Sequence, residues 1–355
     1  MKAFLAFLFR RILTILVTLF ISTAVLYAAF MLTPAETRAT LFLPRNTSHM
    51  TEEQLENYVN QVIQRNHLND PFPVQYFYWV KNMLQGNWGY SPILGEEVFS
   101  AIVERSPVTA ELSLYSILAF LPLGLISGVI AGSRQNKPVD HLFRFKAYVA
   151  TSLPPFILAL VLMAIFYVDL YWFAPERTSN AMSLIINSSQ FHQYTGLLTL
   201  DGLLNGRMDV TFDALRHLAM PVFTLAIAHW ATLGRITRAS MIQETHLDYV
   251  TAARASGLRE RTIVWRQMLP NAIAPALTSS MLSAASLITG VFVVEIIFGF
   301  HGISDVAVKS MSNIPDAAAA LGFSIYSVIV VLILMLILDL VQSAVDPRIR
   351  SGADQ

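Results

Sequence analysis

The sequence predicts an all-α integral membrane protein with six membrane-spanning helices. Of its 355 residues, 54% are hydrophobic and only 14% are charged, whereas about a quarter of the residues in soluble domains are charged. The apolar residues are also gathered in runs of about 20, the length that crosses a bilayer core of roughly 30 Å as a helix. The chain has no cysteine, which excludes disulfides, thiolate metal sites and a cysteine nucleophile.

The six predicted helices are the apolar runs at residues 12–32, 112–131, 147–173, 215–237, 276–298 and 317–341. Basic residues precede the first run, as they do in a secretory signal peptide, but the run is long and lacks a clear small-residue cleavage site. We therefore expect a retained helix. The Pro154-Pro155 pair inside the third run predicts a kink, because proline removes a helical hydrogen bond.

The distribution of charge predicts the orientation. Arg134, Lys137, Arg144 and Lys146 follow the second run, and six arginines lie between residues 235 and 266. The loops on the opposite side are richer in acidic residues. Because cytoplasmic loops carry an excess of lysine and arginine, both termini are predicted to be cytoplasmic.

Residues 239–275 interrupt the apolar pattern with a basic, amphipathic segment that must lie in water. Its first half has helical spacing and ends in a run of small side chains, which would let another backbone approach closely. Gly257 is predicted to end that helix. A second short helix is predicted over residues 259–269, with Pro270 closing it.

The same segment carries a family resemblance. Residues 251–257 read T-A-A-R-A-S-G, and Leu269-Pro270 follow; this pattern resembles the EAA loop of ABC-importer permeases. The longer stretch DYVTAARASGLRERTIVWRQMLPNAIAP is similar to the dipeptide, oligopeptide and nickel branch, although Thr251 stands where many importers carry glutamate. LNDPFPVQYFYWVKNMLQGNWGYSP at 68–92 and DPRIR at 346–350 also resemble that branch.

The resemblance implies a type I ABC-importer permease fold with an extracytoplasmic segment after the first helix. The expected divisions are an N-terminal helix (1–32), an extracytoplasmic segment (33–106), a permease core of five helices (107–345) and a cytoplasmic tail (346–355). Within the core lie a coupling loop (239–275) and an outer insert (174–214); the insert is a polar segment that the resemblance does not cover, and its composition alone places it outside. The implied location is the inner membrane of a bacterium.

The resemblance also implies partners and a coupling site. We expect a second homologous permease, two cytoplasmic ABC ATPases and an extracytoplasmic solute-binding protein, with peptides as the first choice of cargo and no nucleic acid. No Gly-Lys dipeptide occurs, so the chain has no P-loop; ATP would be bound by the partner subunits, and no cofactor is expected here. The residues expected to contact an ATPase are Asp248, Thr251, Ala252, Ala253, Gly257, Leu258 and Pro270.

Three acidic residues, Asp169, Glu295 and Asp339, fall in or near the apolar runs, where each must face a partner or water. Glu295 is interpreted either as a group lining or gating the translocation path, or as a structural hydrogen bond between helices. An alternative function follows from the same residues: an ion-gradient-driven secondary transporter or channel with Glu295 and Asp339 as its sites. Neither a catalytic motif such as HExxH nor a metal site is indicated.

Overall fold

The computed structural model describes residues 2–39, 51–311 and 316–345, and these are almost entirely helical. The tail at 346–355, with its DPRIR sequence, lies outside the described residues. A two-residue antiparallel pair, β1 (Tyr90–Ser91) and β2 (Glu96–Glu97), is the small addition to the predicted all-α class. The helices are α1 (Lys2–Phe30), α2 (Ala35–Ala39), α3 (Glu52–Arg65), α4 (Phe72–Leu84), α5 (Val98–Ser133), α6 (Pro138–Ser152), α7 (Pro155–Leu162), α8 (Asn180–Ile186), α9 (Leu198–Leu204), α10 (Met208–Thr245), α11 (Asp248–Ala255), α12 (Glu260–Thr262), α13 (Leu269–Phe298), α14 (Ile303–Ser310) and α15 (Ala317–Val345).

Within the part of the chain that the structure describes, four helices are long and apolar enough to cross a membrane. Their spans are Ala6–Phe30, Val98–Ser133, Met208–Thr245 and Ala317–Leu340. Two bent helix pairs bring the number to as many as six if each pair is one span. The helical membrane class is therefore confirmed, and the count of six stays a prediction.

The third predicted helix is wrong as a single kinked rod over 147–173. The chain instead forms α6 and α7, which meet at 95°. Leu153 between them is extended, at φ −98° and ψ 119°, because a residue before proline is disfavoured in the helical region. Pro155 then begins α7, where its missing N–H costs nothing, and the chain continues as a π-helical segment, Met163–Asp169.

The predicted pair of helices in the 239–275 loop is also corrected. Its first turns belong to α10, which continues to Thr245, and α11 begins after a short break. Pro270 does not close a helix. From Glu260 the chain runs helically through a π-helical segment, Ile263–Met268, directly into α13, with Pro270 in the first turn of that helix.

The described residues form two compact units, one within residues 1–7, 108–300 and 333–355, the other within residues 8–107 and 301–332. In the first unit, α5 packs on α10 through Gly124, Gly128 and Gly132, which recur every fourth residue on one face. A Cβ at Gly128 would lie 2.6 Å from the Gly234 carbonyl oxygen of α10. Small residues at this spacing let two membrane helices approach closely.

In the second unit, the side chain of Gln75 joins α4 to its surroundings. Its Nε2 donates to the carbonyl oxygens of Leu68 and Asp70 at 2.8 and 2.6 Å, and its Oε1 accepts from Arg38 at 2.5 Å. Trp79 is buried, with its ring 4.7 Å from that of Tyr27. The stretch at 68–92 therefore builds a packed core around α4.

Candidate coupling site

Helix α11 is a short helix with one buried face. Val250 and Ala253 are 0% and 7% exposed. The residues packed with them come from α5, α10, the π-helical segment Ile263–Met268 and α13. Those residues are Val129, Met241, Ile263, Met268 and Ala272. Residues of the long helices α5, α10 and α13 therefore hold the buried face of α11 in place.

The opposite face of α11 carries small, exposed side chains. Thr251, Ala252, Ala255 and Ser256 are all exposed, as is Asp248 in the first turn. A carboxylate there is favourably placed against the positive end of the helix dipole. A face of this kind admits a close-fitting groove, because no long side chain holds the partner away.

Gly257 ends α11 in a left-handed conformation with φ +76°. The N–H of Leu258 donates to the Ala253 carbonyl at 3.3 Å, and that of Gly257 donates to the Arg254 carbonyl at 3.0 Å. These two bonds form a Schellman motif. A Cβ at Gly257 would meet nothing within 4 Å, so glycine is needed here for its backbone conformation.

Two side-chain contacts fix the corners on either side of α11. Arg254 Nε lies 2.7 Å from Glu260 Oε1 across the turn at Gly257. At the other end, the Tyr249 hydroxyl donates to the Glu244 carboxylate. Burial, and then this bond, raise the pKa of Tyr249 above its usual value, so the phenol stays protonated and keeps donating at neutral pH.

The predicted coupling residues are therefore not all in one place. Asp248, Thr251, Ala252, Gly257 and Leu258 lie on the exposed part of α11 and its C-terminal turn. Ala253 is buried beneath them, and Pro270 stands in the first turn of α13. Ala253 can act only by seating the helix.

Glu295 of α13 is fully buried and accepts a hydrogen bond from Thr109 of α5 at 2.5 Å. This contact joins two helices of the first unit, as the structural interpretation of Glu295 requires, and the gating interpretation stays a prediction. Of the other two acids, Asp169 is exposed at the end of its π-helical segment, and Asp339 is buried in α15. Within the described parts of the chain, no cluster of histidine and acidic side chains could hold a metal ion.

Sequence reasoning missed a buried polar network that ties the outer insert to α5. Glu111 is 1% exposed. It accepts from Arg177 Nη2 at 2.6 Å, and from the backbone N–H and hydroxyl of Thr199 at 2.8 and 2.6 Å. Arg177 also donates to the Gly196 carbonyl at 2.6 Å. The insert, predicted only as a polar segment, therefore folds as α8 and α9 around a specific contact. The available signal was an acidic residue immediately before the apolar run at 112–131.

Comparisons with known proteins agree with this architecture. Residues 121–351 match the family described as binding-protein-dependent transport system inner membrane component, and residues 4–113 match the N-terminal part of such components. The dipeptide transport system permease protein DppB of Alkalihalophilus pseudofirmus is 28% identical over 98% of this chain and 99% of its own. The oligopeptide transport system permease protein AppB of Bacillus subtilis is 32% identical over 81% of this chain and 84% of its own.

Among solved structures, a chain of the inward-facing MetNI methionine ABC transporter matches with a TM-score of 0.46 and 13% identity, over 70% of this chain and 96% of that one. The family match covers well over half of the sequence, and the full-length relatives extend it to nearly all of it. This chain belongs to the family of binding-protein-dependent transport system inner membrane components, the permease subunits of ABC importers.

Proposed function

We propose that this permease forms, with a second homologous permease, the path by which peptides enter a bacterial cell. Two cytoplasmic ATPases and an extracytoplasmic binding protein complete the importer. The relatives named for dipeptide and oligopeptide transport support the choice of cargo. We further propose six membrane spans with both termini cytoplasmic, counting one crossing for each bent helix pair.

The observation that carries the coupling role is the two-faced packing of α11. Its buried face rests on residues from α5, α10 and α13, while its outward face has small side chains and a closed C-terminal turn. A short amphipathic or small-faced helix in a groove is a recurring mode of recognition. Movement of the ATPase groove would thus reach three long helices through one rigid contact.

An arginine in the outward face tests this role. Ala252→Arg should abolish co-purification of the ATPases, or their stimulation by loaded binding protein in nanodiscs, because the long cation cannot enter a groove shaped for alanine. Ala181→Arg is the matched control, since Ala181 is also an exposed alanine in a short helix, α8 in the outer insert. Unchanged assembly and stimulation in both variants would refute the coupling role of α11.

A second experiment separates the importer from the alternative, an ion-gradient-driven transporter or channel. Uptake of a labelled dipeptide into vesicles should require ATP and binding protein, and should persist when an ionophore collapses the ion gradients. Uptake that needs the gradient and not ATP would refute the proposal and return attention to Glu295 and Asp339. Family membership supports the importer.

A further inference from the structure

Helix α6 has the form of a helix that lies along a membrane surface. Its 15 residues, Pro138–Ser152, include three charged side chains, whereas the equally long segment Pro155–Asp169 is uncharged as far as Val168. Charge therefore favours the second segment as the one that crosses the bilayer. Helix α6 turns by 95° into α7 at Leu153 and Pro154. If α7 and its π-helical continuation run across the bilayer, α6 runs along its surface.

One face of α6 is fixed to the protein. Asp140 is fully buried and accepts from Arg238 of α10, with Nη2 to Oδ2 at 2.8 Å. Phe143, Ala147 and Ala150 follow on the same face, all nearly or fully buried. The orientation of α6 about its own axis is therefore determined.

The opposite face is apolar and uncovered. Leu142, Phe145, Tyr148 and Val149 are 54%, 67%, 71% and 43% exposed. Their spacing of three, three and one places them in a single stripe, with Phe145 near its centre and directly away from the buried face. Apolar side chains this exposed on a membrane protein need an apolar environment.

The exposed charge around this stripe is entirely basic. Arg144 and Lys146 flank the stripe on its two edges, and Arg134 and Lys137 precede the helix; all four are exposed. The only acidic residue between Arg134 and Ser152 is Asp140, which is buried against Arg238 and lies 3.9 Å from Arg144 Nε. An apolar stripe with a basic border is the pattern of interfacial helices that bind anionic lipid.

Helix α6 also lies at the same end of the first unit as α11, the proposed coupling helix. Val129 of α5 packs in the cluster that holds α11, and α5 ends four residues later at Ser133, just before α6 begins. We propose that α6 lies in the headgroup region of the inner leaflet, with its apolar stripe in the acyl chains and its basic border on anionic phospholipid headgroups. The proposal rests on the proposed function in one respect, the assignment of this membrane surface to the inner leaflet.

The absence of cysteine from the chain makes single labels straightforward. We would attach bimane at Phe145→Cys in the purified importer, in nanodiscs that contain lipids brominated in the acyl chain. Leu123→Cys, on an exposed position of α5, provides the lipid reference, and Ser189→Cys, in the exposed polar turn after α8, provides the aqueous one. We expect the label at 145 to be quenched by brominated lipid, as at 123, and protected from aqueous iodide.

The charge requirement is tested by comparing brominated phosphatidylglycerol with brominated phosphatidylcholine at equal mole fraction. Brominated phosphatidylglycerol, the anionic lipid, should quench the label at 145 more strongly than brominated phosphatidylcholine. Arg144→Gln with Lys146→Gln should reduce that preference, by about fivefold for each charge at low salt. Arg259→Gln with Arg261→Gln, the same charge change beyond α11, should leave it unaltered.

Three results would overturn the proposal. Quenching of the label at 145 by iodide alone would place α6 in water. Protection from both quenchers would show that a protein subunit covers the stripe, and equal quenching by the two lipids would remove the anionic preference. None of these would touch the coupling proposal, because co-purification of the ATPases with the Ala252→Arg variant reports on α11 separately.

Discussion

Replacing Gly128 with alanine should loosen the contact between α5 and α10. The new Cβ would lie 2.6 Å from the Gly234 carbonyl oxygen and 2.6 Å from Thr237 Cβ. The Gly234 oxygen belongs to the backbone, and Thr237 Cβ is bonded directly to the backbone, so neither atom can turn away. Helices α5 and α10 must therefore separate, at a cost of about 1–3 kcal/mol for overpacking. Gly290→Ala is the control, because its Cβ would meet only a Leu225 methyl group, at 3.3 Å.

Both changes gain about 1 kcal/mol of helix propensity, so their difference isolates the packing term. We expect Gly290→Ala to be neutral or slightly stabilising, and Gly128→Ala to be about 1–3 kcal/mol less stable than that control. Reversible unfolding in mixed micelles measures both. Gly132→Ala should follow Gly128→Ala, since it meets the Arg238 backbone at 2.8 Å, whereas Gly124→Ala meets only the Leu233 side chain. Equal stability of the Gly128 and Gly290 variants would refute the reasoning.

The remaining predictions concern buried charge, the turn after α11 and the membrane carboxylate. Arg177→Met should cost about 3 kcal/mol, because it leaves a carboxylate buried without its cation; Glu111→Gln should cost less, and similar protease resistance of the outer insert in all variants would contradict this. Gly257→Val should cost about 1–2 kcal/mol of strain and weaken ATPase stimulation, whereas Gly257→Asn should be milder; equal effects would show that the left-handed conformation is not the requirement. Glu295→Gln keeps an oxygen that can accept from Thr109, so a structural Glu295 predicts normal stability and uptake, while a gating Glu295 predicts lost uptake from a stable protein.

The apolar runs predicted most of the long helices because membrane helices must be long and apolar throughout. Their ends were less predictable. Helix α5 begins at Val98, well before the apolar run at 112–131, since its first turns lie in a polar stretch. At α3 the N-cap Thr51 accepts from the Gln54 N–H, and a Thr-x-x-Gln capping box of this kind can be found in a sequence without a structure.

Contacts between residues that are far apart in the sequence could not be predicted from it. Glu111 meets Arg177 and Thr199 across 66 and 88 residues, and nothing local in the sequence pairs them. The Pro154-Pro155 pair predicted a kink, whereas the helix breaks there, and the packing of α6 on α10 through Asp140 and Arg238 accompanies the break. The glycine repeat on α5 could have been found by its spacing alone.

Within the first unit, helix α5 connects α11, the proposed coupling helix, to the buried carboxylate of Glu295. Val129 packs beneath α11, and Thr109, which bonds Glu295, lies 20 residues or about 30 Å away along the same helix. Between them Gly128 rests on α10, and close-packed contacts transmit displacement because they cannot be compressed. A double-mutant cycle of Gly128→Ala with Thr109→Val on stimulated ATPase activity tests this connection. Strictly additive effects would mean that the two ends of α5 act independently.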